Sequence, residues 1–389
     1  MKKSNRLDQL KSAVFAELER IKDEVSAGGI TIIDLGIGSP DKPPAPHVYK
    51  ALRDAVDNLA NYGYPSSRGS KELRDTIAWW YSERFGVTLD PESEVLVLMG
   101  SQDGLGHLPL GFLDPGDVAL IPDPGYPVYA AGAILAGAEI CPMPLKEENG
   151  FLPDLDAIPP EVAEKARMMI LNYPNNPVAA VADLGFFQKV VEFAAKHEIL
   201  VCHDFAYSEL AYDGHRPHSF MEIPGARDVA VEFHSVSKTY NMAGCRLGFV
   251  VGCPEAIEAL MRIKSNIDYG VFLPVQEAGI AALRGPQDIV ENNVEGYQTR
   301  CNILLDGLAK IGWHIKRPKG TMFVWARLPK GYDSSEAFAE DILRKTGVIV
   351  VPGVAFGRQG EGYVRIALVQ EDQTIKEAVR RISEKFNFS

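Results

Sequence analysis

The sequence predicts an α/β protein in which a large domain around a mostly parallel sheet is joined to a smaller α+β domain. Three observations carry this expectation. From about residue 47 to residue 285, short runs rich in Val, Ile and Leu alternate with longer stretches of helical period. After Gly285 that alternation stops and a long helical stretch opens a different pattern. The chain has 389 residues, 46% of them hydrophobic, which is enough to fill more than one core. The expected boundaries are an N-terminal arm over 1–46 that packs with the small domain, a large domain over 47–285 and a small domain over 286–389.

The N-terminus, MKKSNRLDQLKSAVFAELER, reads as an amphipathic helix or arm. Its start is basic but no uninterrupted apolar stretch follows, so neither a secretion signal nor a membrane span is expected. The strands of the large sheet are expected at Val95 to Met99, Val118 to Ile121, Met168 to Leu171, Leu200 to His203, Val229 to Phe233 and Leu247 to Val251. Their near-continuous apolar character suits strands covered on both faces. Ala182 to His197 reads as a helix because Phe186, Phe187, Val190, Val191 and Ala194 recur at helical spacing. Beyond Gly285 the pattern predicts a helix over Pro286 to Ile311, a strand at Thr321 to Ala326, a helix at Ser334 to Lys345, strands near Val348 and Tyr363, and a last helix from Asp372. No internal repeat is evident.

A net charge of −12 argues against nucleic acid or an anionic membrane as partner. The five cysteines are odd in number and lack C-x-x-C spacing, which argues against a disulfide framework or zinc site and for a reducing cytoplasm.

The chemistry concentrates at Ser235-Val236-Ser237-Lys238, followed by Gly244, Arg246 and Gly248. The run Asp228 to Phe233 alternates like a strand, so Lys238 is expected to project from a strand end over a cleft. A lysine amine there can condense with an aldehyde while Ser235, Ser237 and Arg246 bind a phosphate, the two demands of pyridoxal phosphate (PLP). Taken alone, the four residues suit a turn with an exposed lysine equally well. Asp204 ends the run LVCHD with Tyr207 three residues on. A carboxylate beside a pyridine nitrogen keeps it protonated, and Tyr207 is placed to hydrogen-bond the ring O3′; the plain alternative for Asp204 is a helix cap. Strand alternation turns His203 to the opposite face, where it reads as packing.

Gly100-Ser101-Gln102-Asp103 lies between a strand and a helical pattern, so Ser101 and Gln102 are expected phosphate contacts at a helix start, with Asp103 as a cap. In the turn Asp123-Pro124-Gly125-Tyr126-Pro127, the Tyr126 ring can lie against a pyridine face. The turn Asn172-Tyr173-Pro174-Asn175-Asn176-Pro177 offers an amide to O3′ and to a substrate carboxylate. Arg365, in the apolar run GYVRIAL, needs an anion: a substrate α-carboxylate, or else an internal Asp or Glu.

Taken in order, GIGSPD, the Y-x4-G-x3-LR segment from Tyr64, the N-N-P turn, D-x-x-Y, S-x-S-K-x5-G-x-R-x-G and V-R-I-A-L resemble the class I/II aminotransferases, PLP enzymes of fold type I. The resemblance implies a seven-stranded large sheet and an amino transfer between an L-amino acid and a 2-oxo acid. It implies Lys238 as the Schiff-base lysine and proton shuttle, Asp204 as the partner of the ring nitrogen, Tyr207 and Asn176 at O3′, and Tyr126 stacked on the ring. It also implies Arg365, Asn176 and the backbone of Gly38 on the substrate α-carboxylate, and a homodimer in which Tyr64 reaches the phosphate of the neighbouring subunit.

Within the family, GSQDGLGHLPLGFLDPGDVALIPDPGYPVY and SNIDYGVFLPVQ look most like the LL-diaminopimelate branch and its alanine-aminotransferase relatives. Two departures stand out: Asn176-Pro177-Val178-Ala179 replaces the usual N-P-T-G, and Ala13 lies near where diaminopimelate enzymes carry a tyrosine. No arginine occurs from Lys264 to Pro274, which disfavours aspartate. The rival chemistry is a PLP carbon–sulfur lyase. A PLP-binding regulator is disfavoured because the chain before Ile30 is too short for a DNA-binding module.

Overall fold

The computed structural model describes residues 1, 3–10 and 13–389. Its strands, in chain order, are β1 (Ile33–Asp34), β2 (Val95–Leu98), β3 (Val118–Asp123), β4 (Glu139–Pro144), β5 (Ala166–Asn172), β6 (Leu200–Asp204), β7 (Ala230–Ser235), β8 (Gly248–Gly252), β9 (Phe323–Arg327), β10 (Val348–Ile349), β11 (Val351–Pro352) and β12 (Tyr363–Ala367). Seven of them form one sheet in the order β2-β8-β7-β6-β5-β3-β4. Only β8 runs against its neighbours; the ladders from β4 through β3, β5 and β6 to β7 are all parallel.

Alternation along these strands feeds two cores. Val97, Leu120, Met169 and Val201 point to one face, whereas Leu98, Ile121, Ile170, Cys202 and Phe233 point to the other. Burial of each large side chain contributes roughly 1.5–3 kcal/mol, so a one-residue slip of a central strand would forfeit a whole row of contacts.

The helix Leu184–His197 shows how local signals set boundaries. The Asp183 side chain accepts from the Phe186 N–H at 2.8 Å, so the helix starts there rather than at Ala182. Phe186, Phe187, Val190, Val191 and Ala194 are its buried stripe, and Glu198 closes it in the left-handed region.

The seventh strand, β4, has no counterpart among the apolar runs picked out from the sequence. It is an edge strand, mostly exposed, and carries Pro142 and Pro144, so it lacks the signal of a doubly covered strand. Asp228 also departs from expectation. It sits in a helical turn, Ala226–Val229, and β7 starts only at Ala230.

The remaining strands make an antiparallel sheet β11-β12-β9 and a parallel pair β1-β10, which ties Ile33 to Val348. In the helix Ala13–Ala27, Ile21 and Val25 pack against Leu343 and Ile349. The side chain of Ala13 lies outside the described residues. Among the described residues no helix is long and apolar enough to cross a membrane, and the five cysteines are unpaired.

Candidate active site

Four parallel strands end in polar residues, Asp123, Asn172, Asp204 and Ser235, on the same edge of the large sheet. In an open parallel sheet that edge is where ligands bind. A cavity of about 1090 Å³ opens there, lined by Lys238, Asp204 and Tyr126 from the large-sheet side and by Phe323, Phe356 and Arg365 from the other.

Lys238 does not extend from a strand end as expected. It stands in a single helical turn, Val236–Thr239, whose start is capped by the Ser235 side chain accepting from the Ser237 N–H at 3.2 Å. The turn sends its amine across the cavity, where Nζ donates to the Gly38 carbonyl at 2.6 Å. Burial, then the charges of Arg365 and Arg246, push this amine down to about 8, with Asp204 pulling the other way.

Around the turn lie groups suited to a phosphate. The buried Ser237 Oγ has no hydrogen-bond partner. The exposed Arg246 guanidinium packs over Gly100, where an added Cβ would come within 2.4 Å of Nη2, and Gly100 has a φ of +82°. Only glycine suits both demands. Ser101 and Gln102 open the helix Ser101–His107 directly after it, and the Tyr126 hydroxyl donates to Gln102 at 3.2 Å.

Asp204 is buried on the floor of the cavity. Tyr129 donates to its Oδ2 at 2.7 Å and the Ala206 N–H reaches Oδ1 at 3.3 Å. Burial nevertheless pushes the Asp204 carboxyl above the usual range. Tyr207 is buried beside it, and its phenol is pushed far up by burial.

At the opposite end, Arg365 is only 6% exposed. Nη1 donates to the Asn176 Oδ1 at 2.9 Å, Nη2 to the Gly36 carbonyl at 2.7 Å, and the buried Nε has no partner. Phe323 and Phe356 flank the guanidinium at 4.2 and 4.6 Å from their ring centres. These partners are all neutral, so the site holds a cation shaped for an anion from outside. Gly38 approaches the same ring, since a Cβ there would meet Phe323 at 2.6 Å.

The profile of the family described as "Aminotransferase class I and II" matches residues 30–382. The chain belongs to the class I and II aminotransferases. It is 51% identical to the LL-diaminopimelate aminotransferase of Desulforudis audaxviator, over 97% of this chain and 96% of that one. It is 50% identical to the enzyme of the same name from Moorella thermoacetica, over 98% of both. Among solved structures, substrate-bound BacF from Bacillus subtilis superposes with a TM-score of 0.95 at 40% identity, covering 100% of this chain and 99% of BacF. A probable N-succinyldiaminopimelate aminotransferase from Thermus thermophilus gives 0.90 at 38% identity, covering 95% of this chain and 99% of that one.

PLP is the cofactor of this family, and the residues present fit it: a partnerless serine hydroxyl and, for the phosphate, an exposed Arg246 guanidinium with one hydrogen bond, from Nη1 to the Ala243 carbonyl at 3.2 Å, together with a depressed lysine amine and a buried carboxylate. The structure brings Lys238, Asp204, Tyr207, Tyr126, Asn176, Ser101, Gln102, Ser235, Ser237, Arg246, Gly38 and Arg365 to one cavity. Tyr64 is elsewhere, 87% exposed and packed at 4.9 Å against the ring of exposed Tyr269.

Three residues of the site were given no role of their own from the sequence. Tyr129, which holds Asp204, is one. Asn172 is another: its Nδ2 donates to the Asp204 carbonyl at 2.7 Å and its Oδ1 accepts from the Asn176 N–H at 2.7 Å. The third is Lys264, fully buried, which donates to Asp103 at 2.6 Å. Asp103 is therefore more than a cap, because it also accepts from the Met99 N–H at 3.0 Å and so braces the turn before Ser101. The position of Tyr129, three residues after Tyr126 at a helix start, was the available signal. For Lys264 the local signal was Asp268 four positions on, to which it donates at 2.9 Å, whereas its link to Asp103 spans 161 positions.

Proposed function

We propose that this chain is a PLP-dependent LL-diaminopimelate aminotransferase, active as a homodimer in a reducing cytoplasm. One observation carries the substrate: the 51% identity to an enzyme of that name over 97% of the chain. Residues 47–285 form the cofactor-binding unit in this reading. Residues 1–46 join 286–389 in the second unit, supported by the pairing of β1 with β10.

Ser101, Gln102, Ser235, Ser237 and Arg246 would hold the phosphate, Tyr126 would lie on the ring, and Tyr207 and Asn176 would meet O3′. Tyr64, exposed here, reaches the partner subunit's phosphate. PLP supplies an aldehyde that takes up the amino group and a protonated ring that draws electrons from the substrate Cα. Asp204 keeps the ring nitrogen protonated, and so must itself stay ionised despite its burial. Arg365 grips the α-carboxylate with its fork, aided by the Asn176 amide and the Gly38 backbone. The Lys238 amine, lowered to about 8, would take the Cα proton at Nζ and deliver it to the cofactor carbon C4′, a task for which an ordinary lysine near 10.5 is too rarely neutral.

The test is a panel of amino donors, LL-diaminopimelate, alanine, aspartate and glutamate, against 2-oxoglutarate and pyruvate. LL-diaminopimelate should give the highest kcat/KM. A higher value for alanine would replace the substrate assignment. Pyruvate and ammonia released without an oxo-acid acceptor would replace amino transfer by elimination.

A further inference from the structure

One fully buried lysine has no part in the mechanism above. Lys264 stands in the last turn of the helix Pro254–Ile267. Among the described residues its amine donates to carboxylate oxygens alone: Asp103 Oδ2 at 2.6 Å, and Asp268 Oδ1 and Oδ2 at 2.9 and 3.1 Å. Three acceptors match the three donors of an ammonium. Ion pairs buried this deeply add little to stability when weighed against apolar packing, so the trio calls for another use.

The two carboxylates belong to different segments. Asp103 leads to the turn before Ser101 and Gln102: its Oδ2 also accepts from the Met99 N–H at 3.0 Å, its own N–H donates to the Gly100 carbonyl at 3.1 Å, and His107 Nδ1 lies 2.7 Å from its Oδ1. Asp268 leads elsewhere. Its N–H donates to the Lys264 carbonyl at 2.8 Å and closes the helix, and its extended backbone sends the chain on to Tyr269. Three contacts then reach the segment that carries Tyr64. The rings of Tyr269 and Tyr64 lie 4.9 Å apart, and Phe272 meets Tyr62 edge-on at 5.5 Å. Gly270 packs so closely on Ser66 that an added Cβ would come within 2.7 Å of its carbonyl oxygen. Tyr64 is otherwise exposed, so this segment supplies the packing that orients its ring.

We propose that Lys264 is a positioning residue that couples the two phosphate contacts a chain makes: through Asp103 it sets the turn that holds the chain's own cofactor, and through Asp268 it sets the tyrosine offered to the partner subunit's cofactor. The proposal rests on the roles given above to Ser101, Gln102 and Tyr64. An ammonium bonded to both carboxylates fixes the distance between them, because moving either one away breaks a charge-assisted hydrogen bond where little water can replace it. Local structure does not do this by itself, since the one segment is the turn after a strand and the other lies beyond a helix end. Each site of the dimer is then completed by one arm of this device from each chain.

The affinity of cofactor-free protein for added PLP, read from the visible absorbance of the bound cofactor, tests the coupling in a double-mutant cycle. Asp268→Ala leaves Lys264 paired with Asp103 and should weaken PLP about three- to tenfold, as should Tyr64→Phe. Together they should weaken it no further than Tyr64→Phe alone, because a misplaced ring without its hydroxyl has no contact left to lose. Losses that multiply overturn the Tyr64 arm, and so does an unchanged affinity in either single variant. The triple variant Lys264→Met/Asp103→Asn/Asp268→Asn strips the trio of charge and keeps both arms testable even if Asp268→Ala fails to fold. Its cost should be larger with Tyr64 intact than in Tyr64→Phe, and equal costs overturn the Tyr64 arm. In Tyr64→Phe it should still weaken PLP about threefold or more and shift the phosphorus-31 resonance of the bound phosphate. No further loss and an unmoved resonance overturn the Asp103 arm. PLP binding is read without turnover, so a failure here leaves the aminotransferase reading standing, while a wild type that binds PLP and transfers no amino group would defeat that reading and leave the coupling intact.

Discussion

The two ends of the cavity hold one basic side chain each, Lys238 half-buried and Arg365 buried, and they differ in what the loss of water does to them. Lys238 sits beside the large sheet, where burial and two neighbouring arginines bring its amine down to about 8. Arg365 sits on β12 of the small antiparallel sheet, where burial lowers it only to about 10, so it stays charged at any working pH. The same desolvation makes a proton carrier of the lysine and a fixed clamp of the guanidinium. The supports differ in the same way. The Lys238 amine has one hydrogen bond, to a carbonyl, and is free to swing. The Arg365 fork is held by an amide oxygen, a carbonyl and two aromatic faces, with Nε left over.

The contrast can be broken most severely by Lys238→Ala, which should abolish turnover with every donor while the protein still folds and binds PLP without covalent attachment. Wild-type transamination after full cofactor exchange would remove Lys238 as the base. Asp204→Ala comes next, with a fall in kcat of about a hundredfold or more and some cofactor still bound. An unchanged kcat would take Asp204 out of the mechanism.

Arg365→Lys sharpens the other end. A lysine keeps the charge but not the fork, so kcat/KM should drop about 10- to 100-fold for amino and oxo acids alike, mainly through KM. A loss limited to one substrate would move Arg365 into the side-chain pocket. Tyr64→Phe should cost about tenfold or less, the worth of one hydrogen bond. Mixed with Lys238→Ala subunits under verified exchange, it should give dimers more active than the mean of the two parents, and activity at that mean would place Tyr64 within its own chain's site.

The mildest test is titration of the amine itself. In cofactor-free protein, carbamylation of Lys238 by cyanate, followed by peptide mass spectrometry, should rise with pH and level off above about 8, where the amine has lost its proton. The other lysines should keep rising, and a Lys238 profile that tracks them would end the argument for a tuned base.

Most of the site was legible because its parts are short and local. A strand end followed by a turn exposes whichever residue stands there, so Asp204, Asn176, Ser235 and Lys238 could be picked out one motif at a time. The single helical turn around Lys238 was not legible, since four residues leave no periodicity to read. Nor was β4, whose exposed pattern and two prolines resemble a loop until β3 pairs with it. His203 illustrates the limit best. Alternation placed it correctly on the far face, opposite Asp204, but packing was only half of what it does there: it shares a buried carboxylate with residues from β7 and contacts Tyr173.

The sequence by itself determined the fold class, the order of the chemical groups along the chain and the presence of a lysine, a carboxylate and an arginine suited to amino transfer. Those follow from hydrophobic period and from motifs a few residues long. Tertiary structure alone decided which groups share a low dielectric. Lys264 meets Asp103 across 161 positions, Arg365 meets Asn176 across 189, and Lys238 meets Gly38 across 200. Charge and proton affinity depend on how much water is excluded and on which neighbours replace it, and neither exists until the chain has closed on itself.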